Sequence, residues 1–225
     1  MTQTDLNVTV EAKGLLFDND GVLVSSIASV NRCWRLWAAH YGIPNADQVK
    51  VAHGTRAIEM MLALKPDVDT VEGLRLIEDL EIADVADIEV LPGVLSLLAS
   101  LPLDRWAIVS SATRRLLVAR VEAAKLPLPN WIVSADDVVN GKPHPEPYLR
   151  GAEFIHAAPA DCLVVEDAPS GVHAGKAAGC RVLGVLGTST AEELLAAGAD
   201  WVVASLEHVR AESSADGLKL TLNTI

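Results

Sequence analysis

Two aspartates, Asp18 and Asp20, stand one residue apart between the apolar run Leu15-Leu16-Phe17 and Gly21. A buried strand that ends in acids and a turn puts negative charge at the mouth of a sheet. Carboxylates so close repel one another, and a divalent cation with oxygen ligands relieves that repulsion. Three other places carry reactive residue types: Ser110-Ser111, Lys142 within Gly141-Lys142-Pro143, and Glu166-Asp167. Together they supply acids for a hard cation such as Mg²⁺, and hydroxyls with one lysine for phosphate oxygens. One carboxylate can act as a nucleophile and another as a general acid/base. A metal and a lysine would offset the charge of the acids and of a phosphate.

These residues converge only if the chain folds to bring them together. Each pair lies at or after a short apolar run with strand character, at residues 14–17, 106–109 and 162–165. Further strands are expected at 131–134, 181–185 and 201–203, with helices between them. Such alternation predicts an α/β fold with a doubly wound parallel sheet, whose strands deliver their ends to one edge. From about residue 26 to residue 89 no strand-like run occurs. Helices are expected there at 26–41, 56–64 and 71–82. In the first, Val30, Cys33, Trp34 and Trp37 recur at three- and four-residue spacing and share a face. Leu91-Pro92-Gly93 closes the block. Residues 1–11 are expected to fray or form a short edge element, and residues from about 211 are polar and weakly patterned.

Composition narrows the function. The chain has 225 residues, half of them hydrophobic, so it supports a core domain carrying a smaller one. Its formal charge of −12 argues against nucleic-acid or anionic-membrane binding. A phosphorylated substrate stays compatible, because a metal and a few cations invert the field of one cleft. The three cysteines form no CxxC pair and read as buried reduced thiols. No run reaches membrane-span length, and no basic region followed by an apolar one opens the chain. A cytoplasmic enzyme, monomeric by default, is expected.

Asp18-Asn19-Asp20-Gly21-Val22-Leu23, Ser110, Gly141-Lys142-Pro143 and Val165-Glu166-Asp167 resemble, in order, the four motifs of the haloacid dehalogenase-like superfamily. The stretch from Gly141 to Tyr148 is similar to that of glycerol-phosphate and 2-deoxyglucose-6-phosphate phosphatases, and more distantly of β-phosphoglucomutases. The resemblance implies a Rossmann-like core, residues 1–26 and 91–225, with a helical cap at 27–90. It implies a Mg²⁺-dependent phosphatase acting on a small sugar or polyol phosphate. In that reading Asp18 attacks phosphorus and Asp20 is the acid/base. Asp18, the Asp20 backbone carbonyl and Asp167 bind Mg²⁺, with Glu166 supporting or adding a ligand. Ser110, the Ser111 amide and the Asn19 amide contact the phosphate, and Lys142 neutralises it. His53 and Arg56 fall in a stretch resembling a substrate-facing cap loop; a surface arginine beside an N-cap threonine fits them equally. The arginines of the helix that follows Ser110-Ser111 read most simply as a solvated face. Ser25-Ser26 departs from the Asp-Ser of many relatives at the cap linker. A phosphosugar mutase is the nearest alternative, and a catalytically silent binding protein on the same fold is the alternative of another class.

Overall fold

The computed structural model describes residues 6–51 and 54–225. The chain opens with strands β1 (Leu6–Ala12) and β2 (Gly14–Phe17). After the acidic turn, a two-residue strand β3 (Val24–Ser25) leads into helix α1 (Ile27–His40). Helices α2 (Ala57–Leu64) and α3 (Thr70–Ala83) follow. Strand β4 (Glu89–Val90) then returns antiparallel to β3, so the two chain crossings of the helical insertion lie side by side. The insertion holds an apolar core of its own, built on Cys33, Trp34, Trp37, Met61 and Ile77. Trp37 is fully buried and donates its indole N–H to the Gly73 carbonyl at 2.9 Å, which ties α1 to α3. Asp69 caps α3 by accepting from the Val71 and Glu72 amides.

The remaining chain runs through α4 (Val94–Ala99), β5 (Trp106–Val109), α5 (Arg114–Ala123) and β6 (Trp131–Val133). It continues with α6 (Glu146–Phe154), β7 (Cys162–Glu166), α7 (Pro169–Ala177), β8 (Arg181–Val185), α8 (Ala191–Ala196) and β9 (Trp201–Val203). Six strands form one sheet in the order β6-β5-β2-β7-β8-β9, and each neighbouring pair is parallel. Both faces are covered, which is why these strands read as continuous apolar runs. Successive side chains go to opposite faces. Leu15, Phe17, Trp106 and Ile108 join one core, while Leu16, Ala107 and Val109 join the other with residues of α6, α7 and α8.

The tail differs from the sequence-based expectation. Strands β10 (Val209–Ser214) and β11 (Gly217–Thr224) form an antiparallel hairpin, and β1 pairs along the far edge of β11. Leu218, Leu220 and Leu222 alternate with polar residues and bury one face on the core of Leu15 and Phe17. That period-two pattern was present in the sequence. Its charged and polar outer face, with Lys219 and Asn223, made the stretch look patternless.

Candidate active site

The order of the sheet places β2 between β5 and β7. The acids after β2, the serines after β5 and the acids after β7 therefore share one edge. Asp18 is 6% exposed, and its carboxylate accepts a 2.6 Å hydrogen bond from Lys142 Nζ. The same ammonium donates to Glu166 Oε1 at 2.6 Å and to the Val109 carbonyl at 3.0 Å. Burial alone would push the Lys142 ammonium down. Asp18 and Glu166 more than reverse this, and its pKa is held above the ordinary lysine value.

Glu166 is fully engaged. Its Oε1 accepts from Lys142 and from the Tyr148 hydroxyl at 2.7 Å, and its Oε2 accepts from the Asp167 and Ala168 amides. Gly171 makes room for it. A Cβ at Gly171 would stand 1.7 Å from Glu166 Oε1, so the first turn of α7 tolerates no side chain there. Gly21 serves Asp167 in the same way. Its φ of +91° and a would-be Cβ 2.0 Å from Asp167 Oδ2 both require glycine. Thr188 donates to Asp167 Oδ2 at 2.6 Å and fixes that carboxylate from the side of β8.

The donor set fits a hard divalent cation. Asp18, Glu166 and Asp167 are buried, and each offers a carboxylate oxygen within 4.8 Å of the others. Three carboxylates face one ammonium, which leaves an excess of negative charge in a buried place. Burial, then the neighbouring Glu166, pushes Asp167 up to about 7. Burial raises Asp18 well above the ordinary aspartate range; Lys142 opposes this, and Glu166 and Asp167 add to it. A bound cation with oxygen ligands removes that strain. Because Glu166 already satisfies both oxygens through protein donors, Asp18 and Asp167 are the freer ligands.

Asp20 faces the other way. Its Oδ1 accepts from Ser26 Oγ at 2.6 Å, and its Oδ2 accepts from Arg120 Nη1 at 2.8 Å. Its side chain therefore lies outside the three-acid cluster, and only its backbone could serve a metal there. Arg120 overturns the expectation of a solvated arginine face. Arg114 and Arg115 are exposed, but Arg120 is 4% exposed and also binds Glu81 of α3 at 3.0 Å. The helix turns this one arginine inward, and its fork finds two carboxylates in place of water.

The serines separate. Ser110 Oγ accepts from the Ala112 amide and shapes the turn, whereas Ser111 Oγ donates to the Gly54 carbonyl of the insertion at 2.7 Å. Asn19 is fully buried; its carbonyl accepts from the Leu23 and Val24 amides, and its side-chain amide has no partner. Arg56 does not enter the cleft. It pairs with Glu59 and donates to the Val139 carbonyl at 2.8 Å, lying against Gly141 just before Lys142. His53 lies outside the described residues. Between core and insertion a cleft of about 90 Å³ is lined by Asp18, Asp20, Ser110, Ser111, Glu81 and Arg120, and by Val30, Trp34 and Ile77 on the apolar side. Trp34 thus serves both the core of the insertion and the wall of the cleft.

Sequence reasoning missed Tyr148, Thr188, Arg120 and Glu81. Tyr148 sits within the stretch from Gly141 onward, so its place beside a motif was a usable signal. The other three carry no local signal, because their roles depend on helices and loops meeting across the fold.

Residues 15–185 match the family described as haloacid dehalogenase-like hydrolase. The chain is 37% identical over 216 residues to hexitol phosphatase A of Escherichia coli (strain K12), covering 92% of this chain and 98% of that protein. It is 32% identical over 224 residues to glycerol-1-phosphate phosphohydrolase 1 of Saccharomyces cerevisiae, covering 93% and 89%. Among solved structures, a hydrolase from Pseudomonas syringae shares the fold with a TM-score of 0.77 and 27% identity, over 86% of this chain and 93% of that one.

Proposed function

The chain belongs to the haloacid dehalogenase-like hydrolase family, and from that premise we propose that it is a Mg²⁺-dependent phosphatase of a small sugar or polyol phosphate. It is a phosphoric monoester hydrolase by its relatives. The observation that carries the finer reading is the buried cluster of Asp18, Lys142 and Asp167, of which Asp18 lines a cleft between the core and the helical insertion. We take residues 27–90 as the cap and residues 1–26 and 91–225 as the core.

Lys142 holds one oxygen of Asp18, which aims the other at the cleft. That oxygen attacks phosphorus in line as the bond to the ester oxygen breaks. The departing alkoxide takes a proton from Asp20. The aspartyl phosphate so formed is then cleaved by water, which gives its proton to Asp20, and inorganic phosphate leaves. Asp18, Asp167 and the Asp20 backbone carbonyl would hold Mg²⁺, with Glu166 anchoring Lys142 beside them. The metal would offset charge on the phosphoryl oxygens. Lys142, Ser111 and the amides of the turns after β2 and β5 would do the rest of the charge stabilisation, since phosphoryl transfer asks mostly for positioning and electrostatics. Insertion and core touch through Ser111–Gly54, Thr113–Glu78 and Arg115–Asp79, which seats the insertion over the cleft. Exit and entry of substrate would use the β3–β4 ribbon as the hinge.

Phosphate release from hexitol, glycerol, hexose and nucleotide monophosphates, measured with Mg²⁺, tests the reading. Turnover of the polyol or sugar esters, lost in Asp18→Asn, is expected. An inert wild-type protein would refute it. Isomerisation of a hexose phosphate with little release would assign the chain to the mutases instead.

A further inference from the structure

Arg120 is the one cation that the cleft shares between core and insertion among the described residues. It projects from the last turns of α5, and its side chain is 5% exposed. One arm of the guanidinium holds Asp20 Oδ2 at 2.8 Å; the other holds Glu81 Oε2 at 3.0 Å. Glu81 is equally buried and comes from α3 of the insertion. The second oxygen of Asp20 is held by Ser26, the residue that opens α1. One oxygen of Asp20 is thus held by the last core residue before the insertion, and the other by an arginine whose second arm is held by the insertion.

A planar guanidinium with two fixed donors transmits orientation in a way a point charge does not. When Glu81 seats on one arm, the plane of the fork is fixed and the other arm fixes the rotamer of Asp20. Without Glu81 the second arm of the arginine has no carboxylate to seat it, and Ser26 is the remaining fixed partner of Asp20. Among the described residues no other lysine or arginine pairs with Asp20 or Glu81: Arg115 is spent on Glu78 and Asp79 at the solvent edge of the same contact. Burial favours pairing here too, because an arginine without carboxylate partners is costly in that place.

We infer that Arg120 is a positioning residue that couples the seating of the helical insertion, through Glu81, to the aim of Asp20 as proton donor. This rests on the reading of Asp20 as the acid/base of a phosphatase. The coupling makes leaving-group protonation efficient only in the closed molecule. Hydrolysis of an ester in an open, wet cleft is thereby suppressed.

The discriminating measurement is leaving-group dependence. kcat/KM reports steps through transfer of the phosphoryl group to Asp18. A p-nitrophenolate leaves without a proton; a polyol alkoxide requires one. With Mg²⁺ present, Arg120→Gln is expected to lower kcat/KM for an alkyl phosphate such as glycerol 1-phosphate by about 10²-fold, the lower end of what general acid catalysis contributes. For p-nitrophenyl phosphate the loss stays under about 10-fold, because acid assistance is the part removed. Glu81→Gln, which keeps the arginine and the shape of the site, should show the same asymmetry in smaller measure. In the Arg120→Gln background it should add nothing. Arg120→Lys recovers part of the rate. Equal losses for both leaving groups, no loss, or additive effects of the two substitutions would overturn the coupling while leaving the phosphatase reading intact. If the arginine variant fails to fold, Glu81→Gln alone decides: symmetric losses sink the inference. A wild-type protein that releases no phosphate from any ester removes the functional reading, and this inference falls with it.

Discussion

Asp167→Asn separates charge from shape at the acid cluster. The asparagine carbonyl can still accept the 2.6 Å hydrogen bond from Thr188. The charge, however, is gone. Without metal, three buried carboxylates lie within 4.8 Å of one another against one lysine. At an effective dielectric of about 20, each such pair repels by on the order of 3 kcal/mol. Part of that relief is offset by lost attraction to Lys142, so above pH 7, where Asp167 is ionised, metal-free Asp167→Asn is expected to be about 1–2 kcal/mol more stable than wild type. For a chain of this size that is roughly 2–8 °C in Tm. Mg²⁺ at a hundred times its Kd adds about 2.7 kcal/mol to wild type, roughly 5–11 °C, and little to the variant. The pH dependence has a definite sign. Asp167 stands at about 7 in the folded protein against an ordinary 3.8. The native state therefore keeps a proton that the unfolded chain has lost. The stability this contributes is complete below pH about 4 and is lost as pH rises through 7. Proton and metal compete, so the Mg²⁺ effect should be larger at pH 7.5 than at pH 5.5. Thermal unfolding in EDTA, then with Mg²⁺, measures all of this. An equal Mg²⁺ shift in both proteins, or a metal-free variant less stable than wild type above pH 7, would refute the reasoning.

Lys142→Met leaves Asp18 and Glu166 without their shared ammonium, and should cost about 3–5 kcal/mol by denaturant unfolding along with all phosphate release. Tyr148→Phe removes one donor to Glu166 and should cost about 1–3 kcal/mol, with activity reduced but present. Gly171→Ala normally favours a helix, but here the added methyl meets Glu166 Oε1 at 1.7 Å; a loss of about 1–3 kcal/mol and of activity is expected, and a stabilised active variant would contradict the packing. Leu220→Ala, fully buried in β11, should cost about 2–5 kcal/mol. It should leave kcat per folded molecule unchanged, because that strand contributes nothing to the cleft.

The candidate site was legible where chemistry coincides with local pattern. Asp18, Asp20, Ser110-Ser111, Lys142 and Glu166-Asp167 each follow a strand or mark a proline-bounded loop, and parallel strand order brings their ends to one edge. The helical insertion was legible for the same reason: a long stretch with helical periodicity and no strand run. Arg120 was not. In sequence it is the third arginine of an amphipathic helix, and two of the three do face solvent. Burial of the third depends on Glu81 and Asp20, which lie 39 and 100 residues away.

The sequence by itself determined the fold class, the insertion and the acid cluster, because these follow from periodicity and from residue type at strand ends. The tertiary structure decided the division of labour within the cluster. It gave Glu166 to Lys142, Tyr148 and two backbone amides, turned Asp20 away from the other acids toward Ser26 and Arg120, and carried Arg56 to the loop before Lys142. It also folded a tail that seemed featureless into a sheet against the core. The physical reason is common to these cases. Which partner a charged side chain finds is set by the nearest opposite charge or donor in space once water is excluded, and nearness in space across helices is not written in spacing along the chain.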